Sequence, residues 1–196
     1  MKVHVVYCHP QPTSFTAAAR DRVMAGLAAG GHEVRLLDLY ADGFRPEMSE
    51  WENAHHLDSS SNKPDIMRYA QDLQWCDVLV LVYPTWFSGQ PAMLKGWFDR
   101  IWVRDIAYQL PEGTNTIKPS LHNIGRIMVV TSHGSPKWVN AIQGEGGKRT
   151  AFRAVRLVCS PRTTTTWLAL YGIDTTSANR RARFLKKVES SMAHLR

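Results

Sequence analysis

The chain has 196 residues, 44% of them apolar and 21% charged, the balance of one ordinary globular domain rather than of a disordered, collagen-like or membrane-spanning protein. A chain of this length buries about 70% of its unfolded surface, so neither a disulfide nor a metal staple is needed to hold it. Its 24 Lys and Arg against 17 Asp and Glu leave a net charge of +7, which favours anionic partners and leaves nucleic acid, phosphorylated cofactors and anionic membranes open.

Residues 3–8 form a short β-branched run and read as a first strand, followed by a turn over 9–14. Phe15, Ala19, Val23 and Leu27 then recur every four residues, predicting a helix that ends at Gly30-Gly31. Residues 33–39 read as a second strand, and 40–64 as a long polar loop holding a short helix near 49–57; the Ser59–Ser61 run is too short for a linker. A helix over 65–75 precedes a third strand, 78–82, whose unbroken apolar character fits a parallel strand covered on both faces. After the loop 84–90, Pro91 suits the first position of a helix whose buried face is Leu94, Trp97, Phe98, Ile101 and Trp102. A loop containing Pro111, Gly113 and Pro119 leads to a fourth strand at 127–131. A glycine-rich stretch (134–147), a helix (148–158), a fifth strand (163–170) and a last helix (175–194) complete the chain.

Five apolar strands alternating with helices predict a single α/β domain over 1–196, with a parallel sheet of order 2-1-3-4-5. Cys8, Cys76 and Cys159 lie far apart with no metal spacing and read as small buried hydrophobes. The odd count and the absence of a signal peptide point to a reducing cytoplasm, and no apolar run approaches the ~18 residues of a membrane span. His4, His32, His55, His56 and His122 have no partners at metal spacing, and no metal is assigned.

In such a sheet, ligands bind beyond the carboxyl ends of the strands, where the strand order reverses. Three loops reach that point: 9–16, 84–91 and 132–147. The first has no glycine, unlike a dinucleotide-binding turn. It offers His9, Thr13, Ser14 and Thr16 at a helix start, either as an anion site or as a plain cap. The second places Trp86 and Phe87 at a strand end, where an aromatic wall suits a planar ring. In the third, Gly147-Lys148 is followed by Arg149 rather than Ser or Thr, which argues against a triphosphate-binding loop. What remains there is Thr131-Ser132-His133-Gly134-Ser135, small polar residues that let backbone approach a flat ligand.

The segments HPQPTSF (9–15) and PTWFSGQPAMLKGWFDR (84–100) resemble the two signatures of the NAD(P)H:quinone oxidoreductases, and TSHG (131–134) resembles a weaker third. The resemblance spans nearly the whole chain and is loosest over 40–64 and 135–160. It implies a flavodoxin-like three-layer α/β sandwich, a bound flavin, and a homodimer with sites at its interface. The flavin is FAD by the signatures, with FMN possible. By the same resemblance His9, Thr13, Ser14, Phe15 and Thr16 hold the flavin phosphate. Pro84, Thr85, Trp86 and Phe87 line one edge of the ring, and Thr131, Ser132, His133 and Gly134 the other. Tyr108 resembles the tyrosine that reaches the partner subunit's pocket; Tyr108 and His133 are the catalytic candidates. NAD(P)H and then a quinone-like acceptor would use the same flavin face in turn, a two-electron, ping-pong transfer. Family members have glycine where His133 stands. Their proton-relay Tyr and His fall, without gaps, on Val139 and Glu145 here, so no relay is carried over, and Trp138 and Glu145 are pocket candidates only.

Alternatives share the fold. A flavodoxin-type electron carrier is usually acidic, unlike this chain at +7. Some relatives of the family are ancillary subunits of potassium efflux systems, so a flavin-binding regulatory subunit stays open. Arg180, Arg181, Arg183, Lys186 and Lys187, with Arg149, Arg153 and Arg156, make a basic face without aromatic interleaving, which reads as solvated rather than nucleic-acid-binding.

Overall fold

The computed structural model describes residues 1–58, 64–111, 113 and 116–196; the Ser59–Ser61 run lies outside them. Strands β1 (Lys2–Tyr7), β2 (Glu33–Asp38), β3 (Val78–Pro84), β6 (Arg126–His133) and β7 (Thr164–Tyr171) form one parallel sheet in the order β2-β1-β3-β6-β7. This is the expected 2-1-3-4-5 arrangement in sheet numbering. Strand direction alternates side chains between two faces. Val3, Val5 and Tyr7 of β1 pack with Val23 and Leu27 of α1 (Phe15–Ala29) and Val188 and Met192 of α7 (Ala178–Ala193). On the other face Val6, Leu79 and Leu81 meet Leu73 of α3 (Pro64–Trp75) and Leu94, Trp97 and Ile101 of α4 (Ala92–Ile101). Every residue of β3 is buried, as a central parallel strand requires.

The long segment after β2 holds a short helix, α2 (Glu50–Ala54), started by a capping box between Ser49 and Glu52. Glu52 also takes Arg100 of α4 at 2.6 Å, with both side chains mostly buried, and Arg100 reaches the Arg45 carbonyl as well. Gly96 faces Pro46 so closely that a Cβ there would stand 2.2 Å from the Pro46 oxygen. This polar excursion is thus fastened along one side of α4.

Several boundaries differ from the sequence expectation. Pro91 caps α4 from outside rather than opening it, since its ψ of 148° is extended. The 102–125 loop contains a two-stranded antiparallel ribbon, β4 (Tyr108–Gln109) with β5 (Lys118–Pro119). The glycine-rich stretch contains α5 (Lys137–Ile142). The next helix begins two residues early with α6 (Gly146–Arg149) and continues as a π-helical turn, Thr150–Val155. The last helix starts later than expected because a 3₁₀ turn, Ile173–Thr175, intervenes. Most consequential, β6 runs on through Ser132 and His133, which pair with Pro84 and Tyr171 in the flanking strands. Polar residues ended the apolar run, but ladder bonds on both sides carry the strand further.

Candidate active site

The carboxyl ends of β1, β3, β6 and β7 bring the three expected loops together. Ser14 caps α1, its Oγ accepting from the Ala17 N–H at 3.1 Å. The Phe15 and Thr16 N–H groups make no hydrogen bond among the described residues, the usual state of a first helical turn and the basis of anion binding there. Thr16 is buried beside them, and Thr13 is exposed. His9 Nδ1 accepts from the Gln11 N–H at 3.0 Å, which puts the ring proton on Nε2; burial holds its pKa below the ordinary value. The His9 ring meets Trp86 edge-on at 5.8 Å, joining the first loop to the second.

The second loop is a tight turn. The Trp86 N–H donates to the Gly89 carbonyl and the Gly89 N–H to that of Trp86, both at 3.1 Å. Phe87 (φ 45°) and Ser88 (φ 65°) occupy its two central positions in the left-handed region, where Asn and Gly are the usual residues. The Phe87 side chain is fully exposed. A strained, exposed aromatic at the end of a fully buried strand has no packing explanation. The Thr85 N–H is engaged by the Ser132 carbonyl at 2.8 Å and that of Trp86 by the turn. Pro84 has no N–H, so of the residues expected along this edge Phe87 is the one with an unengaged amide among the described residues.

The third loop is anchored from within. Asn140 of α5 donates through Nδ2 to the Ser135 and Pro136 carbonyls at 3.1 and 2.9 Å, which turns its Oδ1 to His133 Nδ1 at 2.7 Å. His133 therefore carries its proton on Nδ1, and its Nε2 is left as acceptor for the Thr85 hydroxyl at 3.4 Å; Thr85 in turn meets the Thr131 hydroxyl at 3.1 Å. The ring is 3% exposed and stacks on Tyr171. Burial lowers the His133 pKa, against the pull of the Asn140 oxygen and the Glu145 charge. Tyr171 donates to Glu145 Oε1 at 2.6 Å and accepts from Trp167 Nε1 at 3.2 Å, while Lys148 donates to Glu145 Oε2 at 3.1 Å. The tyrosine bond holds the Glu145 carboxyl below its usual range, and burial with that same carboxylate pushes Tyr171 up to about 12. Glu145 is itself in the left-handed region at φ 47°. The loop closes onto the second one: a Cβ on Gly146 would lie 3.2 Å from the Ser88 carbonyl, and Gln90 donates to the Gly147 carbonyl at 3.3 Å.

His9, Thr16, Thr85, Trp86, Thr131, Ser132 and His133 thus share one end of the sheet with Ser14 and Phe15, and Gly134 follows directly. Tyr108 does not join them. It sits on the β4–β5 ribbon along an apolar groove of about 300 Å³ with Phe98, Trp102, Ile117 and Val158. Asn140 and Tyr171 are the site members that sequence reasoning passed over. The strand register, which sets Tyr171 opposite His133, was the signal for the second. All three cysteines are free and buried, each thiol pushed up to about 12 by burial. Among the described residues no His, Cys, Asp or Glu group could hold a metal, and no helix is long and apolar enough to cross a membrane.

A family model described as the flavodoxin-like fold matches residues 1–187. The chain belongs to that flavodoxin-like family. It is 33% identical over 112 residues to an uncharacterized NAD(P)H oxidoreductase, YcaK, of Escherichia coli, a match covering 55% of each chain. It is 30% identical over 159 residues to NAD(P)H dehydrogenase [quinone] 1 of Rattus norvegicus, covering 73% of this chain and 57% of the rat protein. The chain thus spans about half the length of these curated relatives. Among solved structures, the NAD(P)H:quinone oxidoreductase from Methanothermobacter marburgensis superposes with a TM-score of 0.84 at 25% identity, over 100% of this chain and 99% of that one. Membership of the flavodoxin-like family agrees with a site at the reversal of strand order, where the described loops converge.

Proposed function

We propose that this chain is a flavin-dependent NAD(P)H oxidoreductase that reduces a quinone-like acceptor by two electrons in a ping-pong sequence. The observation that carries the reading is the pairing of unengaged N–H groups at the start of α1 with the strained, exposed Phe87 at the end of β3. One end suits a phosphate, the other a flat ring, and that is the shape of a flavin nucleotide. When bound, the flavin supplies a ring that accepts a hydride from NAD(P)H and returns two electrons to the acceptor.

The chain's own residues bind and orient. Thr13, Ser14, Phe15 and Thr16 would hold the phosphate, with the Ser14 oxygen serving Ala17 and the Phe15 and Thr16 amides turned to the anion. Pro84, Thr85, Trp86 and Phe87 would line the ring, with the Phe87 amide as donor, and Thr131, Ser132 and Gly134 would border its other edge. His133, neutral and buried, acts through Thr85 as a positioning residue. The reading extends to FAD as the flavin and to a cytoplasmic location, in keeping with three unbridged thiols. It extends also to a homodimer in which Tyr108, standing apart from its own crevice, serves the partner's pocket.

The test is an absorbance spectrum of the purified protein, mass analysis of the released flavin, and anaerobic titration with NADPH. A yellow protein bleached directly by NADPH, with turnover of a soluble quinone, supports the enzyme. Flavin that NADPH does not bleach would leave an electron carrier or a regulatory subunit. A colourless protein that takes up neither FAD nor FMN would end the proposal. Sedimentation gives the assembly state.

A further inference from the structure

A second cavity, of about 310 Å³, opens beside the third loop and is lined by Gly144, Glu145, Lys148, Arg149, Phe152 and Arg153. We propose that it receives the 2′-phosphate of a phosphorylated pyridine nucleotide, and so makes the enzyme selective for NADPH over NADH. The inference rests on the NAD(P)H reading above and adds the residues that choose between the two coenzymes.

Three observations carry it. The guanidinium groups of Arg149 and Arg153 make no hydrogen bond or ion pair among the described residues, whereas those of Arg20, Arg35, Arg68 and Arg100 are paired with carboxylates. These two arginines are four residues apart, and the backbone between them is the π-helical turn Thr150–Val155. Residues four apart lie on one face of a helical turn, and both forks line the one cavity; π turns concentrate at functional sites. The third observation concerns charge. Glu145 is the one carboxylate in the lining, and Lys148 and Tyr171 already satisfy it. The cavity keeps a cationic excess that two planar guanidinium forks present to a tetrahedral dianion. Arg149 also lies along the Gly144 backbone, which has no side chain to fill that space.

Position favours the nucleotide over a free anion. The wall of this cavity, residues 144–149, is the segment whose Gly146 and Gly147 rest on the 84–90 turn. This contact puts the cavity beside the turn that carries Phe87, so a nucleotide whose nicotinamide stacked there would have the arginines and Phe152 on an adjoining wall for its adenosine end.

Calorimetric titration of the purified protein with adenosine 2′,5′-bisphosphate, and separately with 5′-ADP, tests the pocket without turnover. Binding of the 2′-phosphate compound at least tenfold tighter than 5′-ADP is expected. The Arg149→Ala/Arg153→Ala variant should lose about tenfold to a hundredfold of it, and Arg149→Lys/Arg153→Lys should keep part of it. In turnover, the double alanine variant should raise the NADPH KM by a similar factor and leave the NADH KM within about twofold. Both arginines are exposed, so these variants keep the fold. Equal affinity for the two ADP compounds, a double variant that binds like the parent, or parallel shifts in both coenzymes would overturn the pocket. A colourless protein that still binds the bisphosphate through these arginines would sink the quinone reductase reading and leave the pocket standing.

Discussion

His133 and Tyr171 stack ring on ring at the paired ends of β6 and β7, centroids 4.4 Å apart and planes 17° from parallel. The tyrosine hydroxyl ties that stack to Glu145 and Trp167. Tyr171→Phe should keep the stack and lose both bonds, costing about 1–2 kcal/mol in urea unfolding. The Tyr171 bond is the main cause of the low Glu145 pKa, so the Glu145 titration, followed by NMR, should move up toward the ordinary carboxylate value. A Glu145 titration that stays where it was would show that Lys148 alone sets it.

The pH dependence of stability follows from buried neutral histidines. Burial lowers the pKa of both His4 and His133 from 6.5 in the folded chain. Below that value the unfolded chain takes up protons that the folded chain refuses, so stability falls as pH drops through 6.5 toward the folded values, and is fully present above. Each histidine contributes a slope of at most about 1.4 kcal/mol per pH unit. Chemical denaturation between pH 5 and 7.5 should show this rise, and His133→Gln should flatten it. An unchanged slope in that variant would remove His133 from the account.

The sheet was readable because its signal is local: 78–82 is apolar without a break, and with right-handed crossovers five strands alternating with helices suit the order that the structure has. Once the order is known, the switch point names the loops. The burial of His133 was not readable, because Ser132 and His133 look like a loop until β3 and β7 pair with them. Asn140 was hidden for a related reason. Its value lies in bonds to Ser135, Pro136 and His133 that exist only when α5 folds back. The π turn also leaves no mark in the pattern, since Ala151 and Val155 are buried four apart as in an α-helix.

Gly96→Ala would set a methyl group against the backbone of Pro46, 2.2 Å from its carbonyl oxygen. Backbone cannot rotate aside, so about 1–3 kcal/mol of stability should be lost. The excursion held by Glu52 and Arg100 should loosen, read as faster amide exchange at Ser49 and Glu52. Undiminished stability would mean that this segment lifts off α4 at little cost.

Ser14→Asp separates capping from phosphate binding. Aspartate caps helices as well as serine does, so the melting temperature of the flavin-free protein should hardly change. A carboxylate against the proposed phosphate should weaken flavin binding about fivefold or more, measured by equilibrium dialysis. Unchanged affinity would place the phosphate elsewhere.

Phe87 sets a trade between stability and function. Its φ of 45° carries a left-handed penalty of about 1–2 kcal/mol for an L-residue, and its exposed ring returns no burial. Phe87→Gly removes that penalty and adds unfolded-state entropy worth about 0.4–1 kcal/mol against it. The net gain expected in denaturation is about 0.5 kcal/mol. Flavin binding should weaken about twofold to tenfold through lost aromatic contact, and Phe87→Tyr should retain it. A glycine variant that gains stability and binds flavin as well as the parent would show that the strain serves something other than the ring.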